Sequence, residues 1–323
     1  MQILFYSKIK MKRSYIAIAC AAMLFVVFFP ECSSKKNEFV FTDTEQGIRL
    51  TENGKPVFFY QKLPKSLTGE YVCSNYIHPL YNLAGDTLTE EFPPDHPYHR
   101  GIFWTWHQLY IGTNSLGDGW INDGISQTVV KILTEQKDNN AEINVDVLWQ
   151  SDTLSHDKPF MKEKTSIIVH PLENDVRLID FRIELNALIE NLELGGSNDP
   201  KGYGGFCVRL KIPDNMIFTS ENGPVTPQEL QISSGRWMDF SGAFGNKTST
   251  NGVAILCSPD NPVYPSPWIL RQKGSMQNAV FPGRERIKLS IDKPVVLKYR
   301  LVIHNGDVKS IDLNKFQKEY SEQ

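Results

Sequence analysis

The residues best suited to chemistry gather in one short stretch, Pro93-Pro94-Asp95-His96-Pro97-Tyr98-His99-Arg100-Gly101, which runs on to Trp104, Trp106 and His107. Three of the seven histidines fall within the twelve positions from 96 to 107. An imidazole titrates near neutral pH, so His96, His99 or His107 beside a carboxylate such as Asp95 can take up or release a proton. The flanking prolines stiffen this loop at the mouth of a strand, a common place for binding and catalytic groups. The same three imidazoles could instead hold a metal ion, although no HExxH-type spacing singles that out. In a third reading, Asp95 and the histidines only brace the loop through hydrogen bonds to its backbone.

Other clusters add arginine and tryptophan. Gly202-Tyr203-Gly204-Gly205-Phe206-Cys207-Val208-Arg209 has glycines for close backbone approach, but no following helix and no GK[ST], so it is not a phosphate loop. Arg209, on a strand that otherwise reads as buried, needs a partner, either a core carboxylate or a ligand. In Ser234–Gly242, Trp237 and Asp239 share one strand face while Arg236 and Met238 share the other. An indole beside a carboxylate suits a sugar ring, which stacks its C–H face and bonds through its hydroxyls; a strand tryptophan also serves as plain core. Tyr264-Pro265-Ser266-Pro267-Trp268 is a rigid loop presenting Trp268 and Arg271, and Arg300, Val302 and His304 share a face of the last strand. Asp118, in Gly117-Asp118-Gly119-Trp120, lacks the Asp-x-Asp spacing of a calcium loop and reads as a turn residue. No GxSxG elbow supports serine hydrolysis.

Strands must position these groups. Gly47–Leu50 and Val57–Tyr60 flank Asn53-Gly54, a hairpin signal. Gly101–Ile111 alternates as one strand, with Ile102, Trp104 and Trp106 on one side and Phe103, Thr105 and His107 on the other. Pairs follow at 129–134 with 142–150 and at 165–170 with 176–188, then strands at 205–211, 231–240, 252–257, 286–291 and 295–304. A dozen or more strands at hairpin spacing, without interleaved helices, specify an all-β fold: a large antiparallel β-sandwich. One helix is expected, at 310–320, where Leu313, Phe316 and Tyr320 form a stripe. Residues 38–323 show no composition shift and read as a single domain.

The amino terminus reads as an export signal. Met11-Lys12-Arg13 precedes the apolar run Tyr15–Pro30, which is too short to span a bilayer, and translation is expected to start at Met11. Cys32, followed by Ser-Ser-Lys-Lys, resembles the lipoprotein acceptor cysteines of Bacteroidetes, despite Glu31 in place of a small residue. Residues 1–31 are then a signal peptide and 32–37 a tether, with acyl chains on Cys32 contributing about 0.8 kcal/mol per buried methylene. The leader holds four of the 34 basic groups and one of the 37 acidic, leaving 30 against 36 and a net charge of −6. That balance offers nucleic acid no basic footprint. Cys73, Cys207 and Cys257 are too few and too widely spaced for a disulfide framework.

Five motifs carry a family resemblance: Asp95–Gly101, Gly202–Arg209, Arg-Trp-x-Asp-x-x-Gly at 236–242, Pro-Ser-Pro-Trp at 265–268 and Tyr299–Gly306. Together they resemble, across 45–321, a bacterial domain of unknown function often labelled "methane oxygenase PmoA". Ile269 and Tyr98 stand where that family tends to carry histidine. The label conflicts with the sequence, because a membrane oxygenase subunit needs several apolar spans and the mature chain has none. The resemblance implies a supersandwich of the galactose mutarotase type and a carbohydrate ligand, an analogy of fold rather than of site.

The leading expectation is therefore an extracytoplasmic protein, lipid-anchored in the periplasm or at the outer membrane, acting on a sugar or oligosaccharide. Asp95, His96, His99 and His107 would do acid–base work, as an isomerase, hydrolase or lyase. Trp106, Trp237, Asp239, Trp268, Arg271 and His304 would bind the ring, and Arg100, Arg209 and Arg236 would hold oxygens or a carboxylate. The alternatives are a non-catalytic glycan-binding lipoprotein and a metal-dependent enzyme using the clustered histidines. No cofactor motif is present, and nothing in the sequence sets an oligomeric state.

Overall fold

Strict period-two alternation builds most of the molecule. Asn140–Ser151 alternates half-buried with buried residues along its whole length, and Met161–Val169 alternates buried residues with more exposed ones. Such strands bury one face only, and pairing two of them face to face makes a sandwich. A computed structural model describes residues 38–323 apart from 138, 156–157 and 246–248. The expected signal peptide, the expected acceptor Cys32 and the expected tether at 32–37 lie outside the described residues. The described residues form one compact unit.

All described strand pairs are antiparallel. An eight-stranded sheet runs, in spatial order, Phe39–Asp43, Gly47–Glu52, Lys55–Gln61, Tyr76–Leu80, Ile102–Trp106, Gly204–Val208, Gln277–Val280 and Trp268–Ile269. A nine-stranded sheet runs from Gly223–Pro224 through Ile217–Ser220, Trp237–Gly242, Asn251–Cys257 and Val295–Asn305 to Val176–Ala187, Met161–Val169, Asn140–Ser151 and Ile125–Lys137. A four-stranded sheet joins Ile287–Lys288, Leu192–Gly195, Gln108–Ile111 and Asn114–Gly117. The chain is an all-β sandwich.

Aromatic rings stitch the two large sheets together. Trp104 and Phe206 of the first meet Phe181 of the second at 6.3 and 5.2 Å, Phe206 stacks on Tyr299 at 4.5 Å, and Trp106 meets Trp149 at 5.9 Å. Within this core the buried carboxylate Glu163 accepts hydrogen bonds from Asn75 Nδ2 (3.0 Å), Trp149 Nε1 (3.0 Å) and Thr165 Oγ1 (2.7 Å). Burial raises its pKa despite these donors.

Three expectations change. Gly101–Ile111 is not one strand: it breaks at His107, and Gln108–Ile111 passes to the small sheet. Leu109 therefore packs in the same core as Trp104 and Trp106, where simple alternation would place it opposite them. The helix spans Leu313–Ser321, after a short 3₁₀ turn, because the Asp312 side chain accepts from Lys315 N and caps it there. It covers part of the outer face of the nine-stranded sheet, with Leu313 and Tyr320 against Trp237, Ala254, Leu256 and Val302. Of the expected strand 231–240, the part from Trp237 onward forms a strand, while Ile232 makes a single bridge to Trp268 on the other large sheet. Cys73, Cys207 and Cys257 are free, buried thiols.

Candidate functional site

Alternation on Ile102–Trp106 gives this sheet two working faces. Ile102, Trp104 and Trp106 enter the sandwich core. Phe103 points the other way, into a second cluster with Tyr76, Trp120, Cys207 and Ile269, edged by Tyr98, Ile121 and Tyr203. The histidine loop folds over this outer face. Phe92 N–H donates to His99 O (2.9 Å), and Gly101 N–H donates to Glu90 O (2.9 Å), closing the loop at its base. Gly101 has φ +39°, and a Cβ there would lie 1.9 Å from Ile77 O, so only glycine lets the strand start this close to its neighbour. Phe92 (φ +48°) and Tyr71 (φ +52°) adopt left-handed backbone, uncommon and costly for bulky residues, and both flank this loop.

Arg209 organises the loop from just past the end of the adjacent strand, Gly204–Val208. Its guanidinium donates to Glu90 Oε1 (2.7 Å), Asp95 Oδ1 (2.8 Å) and His99 Nδ1 (3.3 Å). Arg209 is buried and its charge is met by two carboxylates, so it acts as a clamp. Burial pushes the Asp95 carboxyl up, but hydrogen bonds from Arg209 and His96 outweigh this and bring its pKa to about 2.

The three loop and strand histidines acquire different roles from their partners. A carboxylate only accepts, so His96 Nδ1, 2.7 Å from Asp95 Oδ2, carries the proton and leaves Nε2 as a base. His107 repeats the arrangement: its Nδ1 lies 2.7 Å from Asp118 Oδ2, while Asp118 Oδ1 accepts from Trp120 N (2.8 Å). His99 is the opposite. A guanidinium only donates, so His99 Nδ1 accepts and its proton sits on Nε2. Burial, then the neighbouring His96, Arg209 and Arg100, lowers its pKa to about 2. Burial and the neighbouring cations thus favour the neutral imidazole, and the contact to Arg209 lets His99 position the loop.

Ring contacts join these groups into one surface. His96 and His99 stack in near-parallel planes (4.6 Å, 4°), Tyr98 and Trp120 meet His99 edge-on, and His107 stacks on Trp120 (5.1 Å). Trp120 also meets Tyr203 (5.6 Å), over which Arg271 lies at 5.5 Å while bonding its hydroxyl. Stacked imidazoles do not aim their nitrogens at a common point, and a cation at His99 would sit beside Arg209. Among the described residues no group of three His, Cys, Asp or Glu is arranged to hold a metal ion.

The structure thus gathers Asp95, His96, His99, Arg100, His107, Arg209 and Arg271. It does not bring in the rest. Trp106 is buried in the core with Nε1 donating to Phe281 O (2.9 Å), and Trp268 is buried with Nε1 donating to Gly235 O (3.1 Å). Trp237 lies under the carboxy-terminal helix, donating to Asn314 Oδ1 (3.0 Å). None of these indoles offers an open face, so the expected stacking platforms are structural. Asp239 and His304 form a fully buried pair (2.9 Å) on the nine-stranded sheet, with Ser241 Oγ donating to Asp239 (2.5 Å). Arg236 is held by Glu221 (2.6 Å) instead. Glu90, Trp120, Asn122 and Tyr203 are site residues that sequence reasoning did not place. Gly117–Trp120 signalled a turn, and nothing in the sequence tied that turn to His107.

The fold and this surface define an all-β sandwich protein with carboxylate-oriented histidines on the outer face of one sheet. The chain belongs to a family of unknown function (DUF6807), whose profile matches residues 47–317. No curated protein gives a match.

Proposed function

We propose that this protein is an exported enzyme that moves protons on a sugar or oligosaccharide bound against the outer face of the eight-stranded sheet. The observation that carries the reading is the pair of oriented imidazoles, His96 on Asp95 and His107 on Asp118, each at 2.7 Å. A histidine whose Nδ1–H is held by a carboxylate presents a fixed Nε2 lone pair, the arrangement general base catalysis needs. Two such groups permit one to remove a proton while the other, protonated, returns one. His96 and His107 are partly exposed, with side chains 33% and 22% accessible, so a ligand can reach them. The half-buried rings of Tyr98 and Tyr203 supply apolar faces beside these bases, in keeping with a sugar's C–H surface. The narrower family likeness, with its Cys32 lipid anchor and its placement in the periplasm or at the outer membrane, belongs to this proposal.

The test is a panel of mono- and oligosaccharides offered to the purified protein, reading thermal shift and product formation together. His96→Ala and His107→Ala should each lower turnover by about 100-fold or more while keeping the ligand-induced shift. Binding with no turnover by the wild type would make this a glycan-binding module instead. Turnover untouched by both substitutions would remove the imidazoles from the chemistry.

A further inference from the structure

Four arginines are fully buried among the described residues: Arg100, Arg177, Arg209 and Arg300. Three have carboxylate partners. Arg177 Nη2 lies 2.6 Å from Glu52, Arg300 grips both oxygens of Asp180 at 2.6 and 2.7 Å, and Arg209 holds Glu90 and Asp95. Arg100 alone has no carboxylate within ion-pairing distance among the described residues. Its Nη1 donates to Tyr98 O (3.1 Å), its Nη2 makes a long contact to Asn122 Oδ1 (3.4 Å), and its guanidinium lies 4.9 Å from the Phe103 ring centre. Its Nε has no partner, and neither does Asn122 Nδ2 beside it; both atoms are buried. The thiols of Cys73 and Cys207 on the same face do not neutralise it, because burial pushes both up and keeps them protonated.

A buried cation with no carboxylate in direct contact is expensive, Glu91 across the backbone bridge being held by Lys65 and Tyr76, and two orphaned donors next to each other compound the cost. A ligand carboxylate would supply the missing charge and satisfy both donors. Arginine's planar fork matches a carboxylate, and the amide of Asn122 would donate to its second oxygen. Tyr98 and Asn122 are only half-buried, which leaves the guanidinium close beneath the surface. The position is linked to both oriented imidazoles through their neighbours, since His96 stacks on His99 and Asp118 holds His107. Arg100 follows His99 directly, and Asn122 is on the loop that carries Asp118 and Trp120.

We propose that Arg100 and Asn122 form the subsite for the carboxylate of an acidic sugar, which makes a uronic acid residue the substrate class of the site. This rests on the proton-transfer reading above and deepens it. When an Nε2 base takes the proton from the ring carbon beside a carboxylate held at Arg100, the electron pair of the broken C–H bond passes into that carboxylate, and the other, protonated imidazole returns a proton to the carbon.

The experiment compares D-glucuronate and D-galacturonate with D-glucose and D-galactose, by calorimetry and thermal shift on the whole protein. The uronates should bind, with affinity falling as salt rises, and the neutral sugars should bind at least tenfold more weakly. Arg100→Gln should lose at least tenfold in uronate affinity with little change for neutral sugars. Should Arg100→Gln fail to fold, Asn122→Ala leaves the charge in place and should still weaken uronate binding severalfold. Equal binding of charged and neutral sugars overturns the subsite while the proton-transfer reading stands. Uronate binding that neither variant weakens also overturns it. Silence from all four ligands overturns the subsite and removes support from the sugar reading as well.

Discussion

Replacing His99 with Gln tests whether its imidazole is locked neutral. In the fold its pKa is lowered from 6.5 to about 2, chiefly by burial, then by the nearby His96, Arg209 and Arg100. The sign follows from proton counting. Between those values the unfolded chain binds a proton that the native state refuses, so stability is full above pH 6.5 and is lost as pH falls. Each unit below the unfolded pKa is worth about 1.4 kcal/mol, so going from about pH 7.5 to about pH 5 costs about 2 kcal/mol from this residue. His78, lowered to about 4 mainly by burial, adds a similar amount over the same interval. The wild type should therefore lose about 4 kcal/mol and His99→Gln about 2, measured by urea unfolding at both pH values. The interval lies above the range where most carboxylates titrate, which keeps Asp95 out of the comparison. His99→Gln also loses the contact to Arg209, but that offset is common to both pH values and cancels in the difference. Equal declines in the two proteins would refute the reasoning. So would an imidazole resonance of His99 that moves between those pH values.

Asp118→Asn should keep the bond from Trp120 N but face His107 with an amide donor, forcing the opposite tautomer; turnover should fall about 100- to 10,000-fold while ligand-induced stabilisation persists. Glu163→Gln places an amide among donors from Asn75, Trp149 and Thr165, and should cost about 1–3 kcal/mol in chemical unfolding without altering ligand affinity. Trp237→Phe and Trp268→Phe each remove one buried hydrogen bond and should lower stability by about 1–3 kcal/mol. Both variants should bind sugars as the wild type does; a selective loss of sugar affinity in either would restore it as a platform.

Strand alternation was the most legible feature of this chain. Where both faces of a strand meet different surroundings, as in Asn140–Ser151, period two reads directly as inside and outside. It fails where something else covers the outside. Trp237 and Asp239 do share a face, as their spacing implies, but at Trp237 that face is roofed by the terminal helix, and no local signal announces a roof. The break at His107 was equally hidden, since every residue from Ile102 to Ile111 suits a strand. In the site, His96 beside Asp95 could be read from adjacency. The clamp from Arg209 to Glu90 spans 119 residues, and its geometry exists only once Ile102–Trp106 and Gly204–Val208 have paired. Asp118 is eleven residues from His107, across a change of sheet, which is why it looked like a turn residue.

The loop from Asp118 to Asp123 is tied shut at its ends by reciprocal backbone hydrogen bonds of 2.8 and 2.9 Å. Everything between the knots is free of the sheets' pairing register, yet this segment supplies the carboxylate behind His107, the indole between the imidazoles and the Asn122 amide. A graft of these six residues from another member would exchange partner, wall and amide at one stroke while leaving both sheets undisturbed. Diversity of ligands within the family is therefore expected to concentrate in this short tongue rather than in the proline-stiffened stretch that faces it.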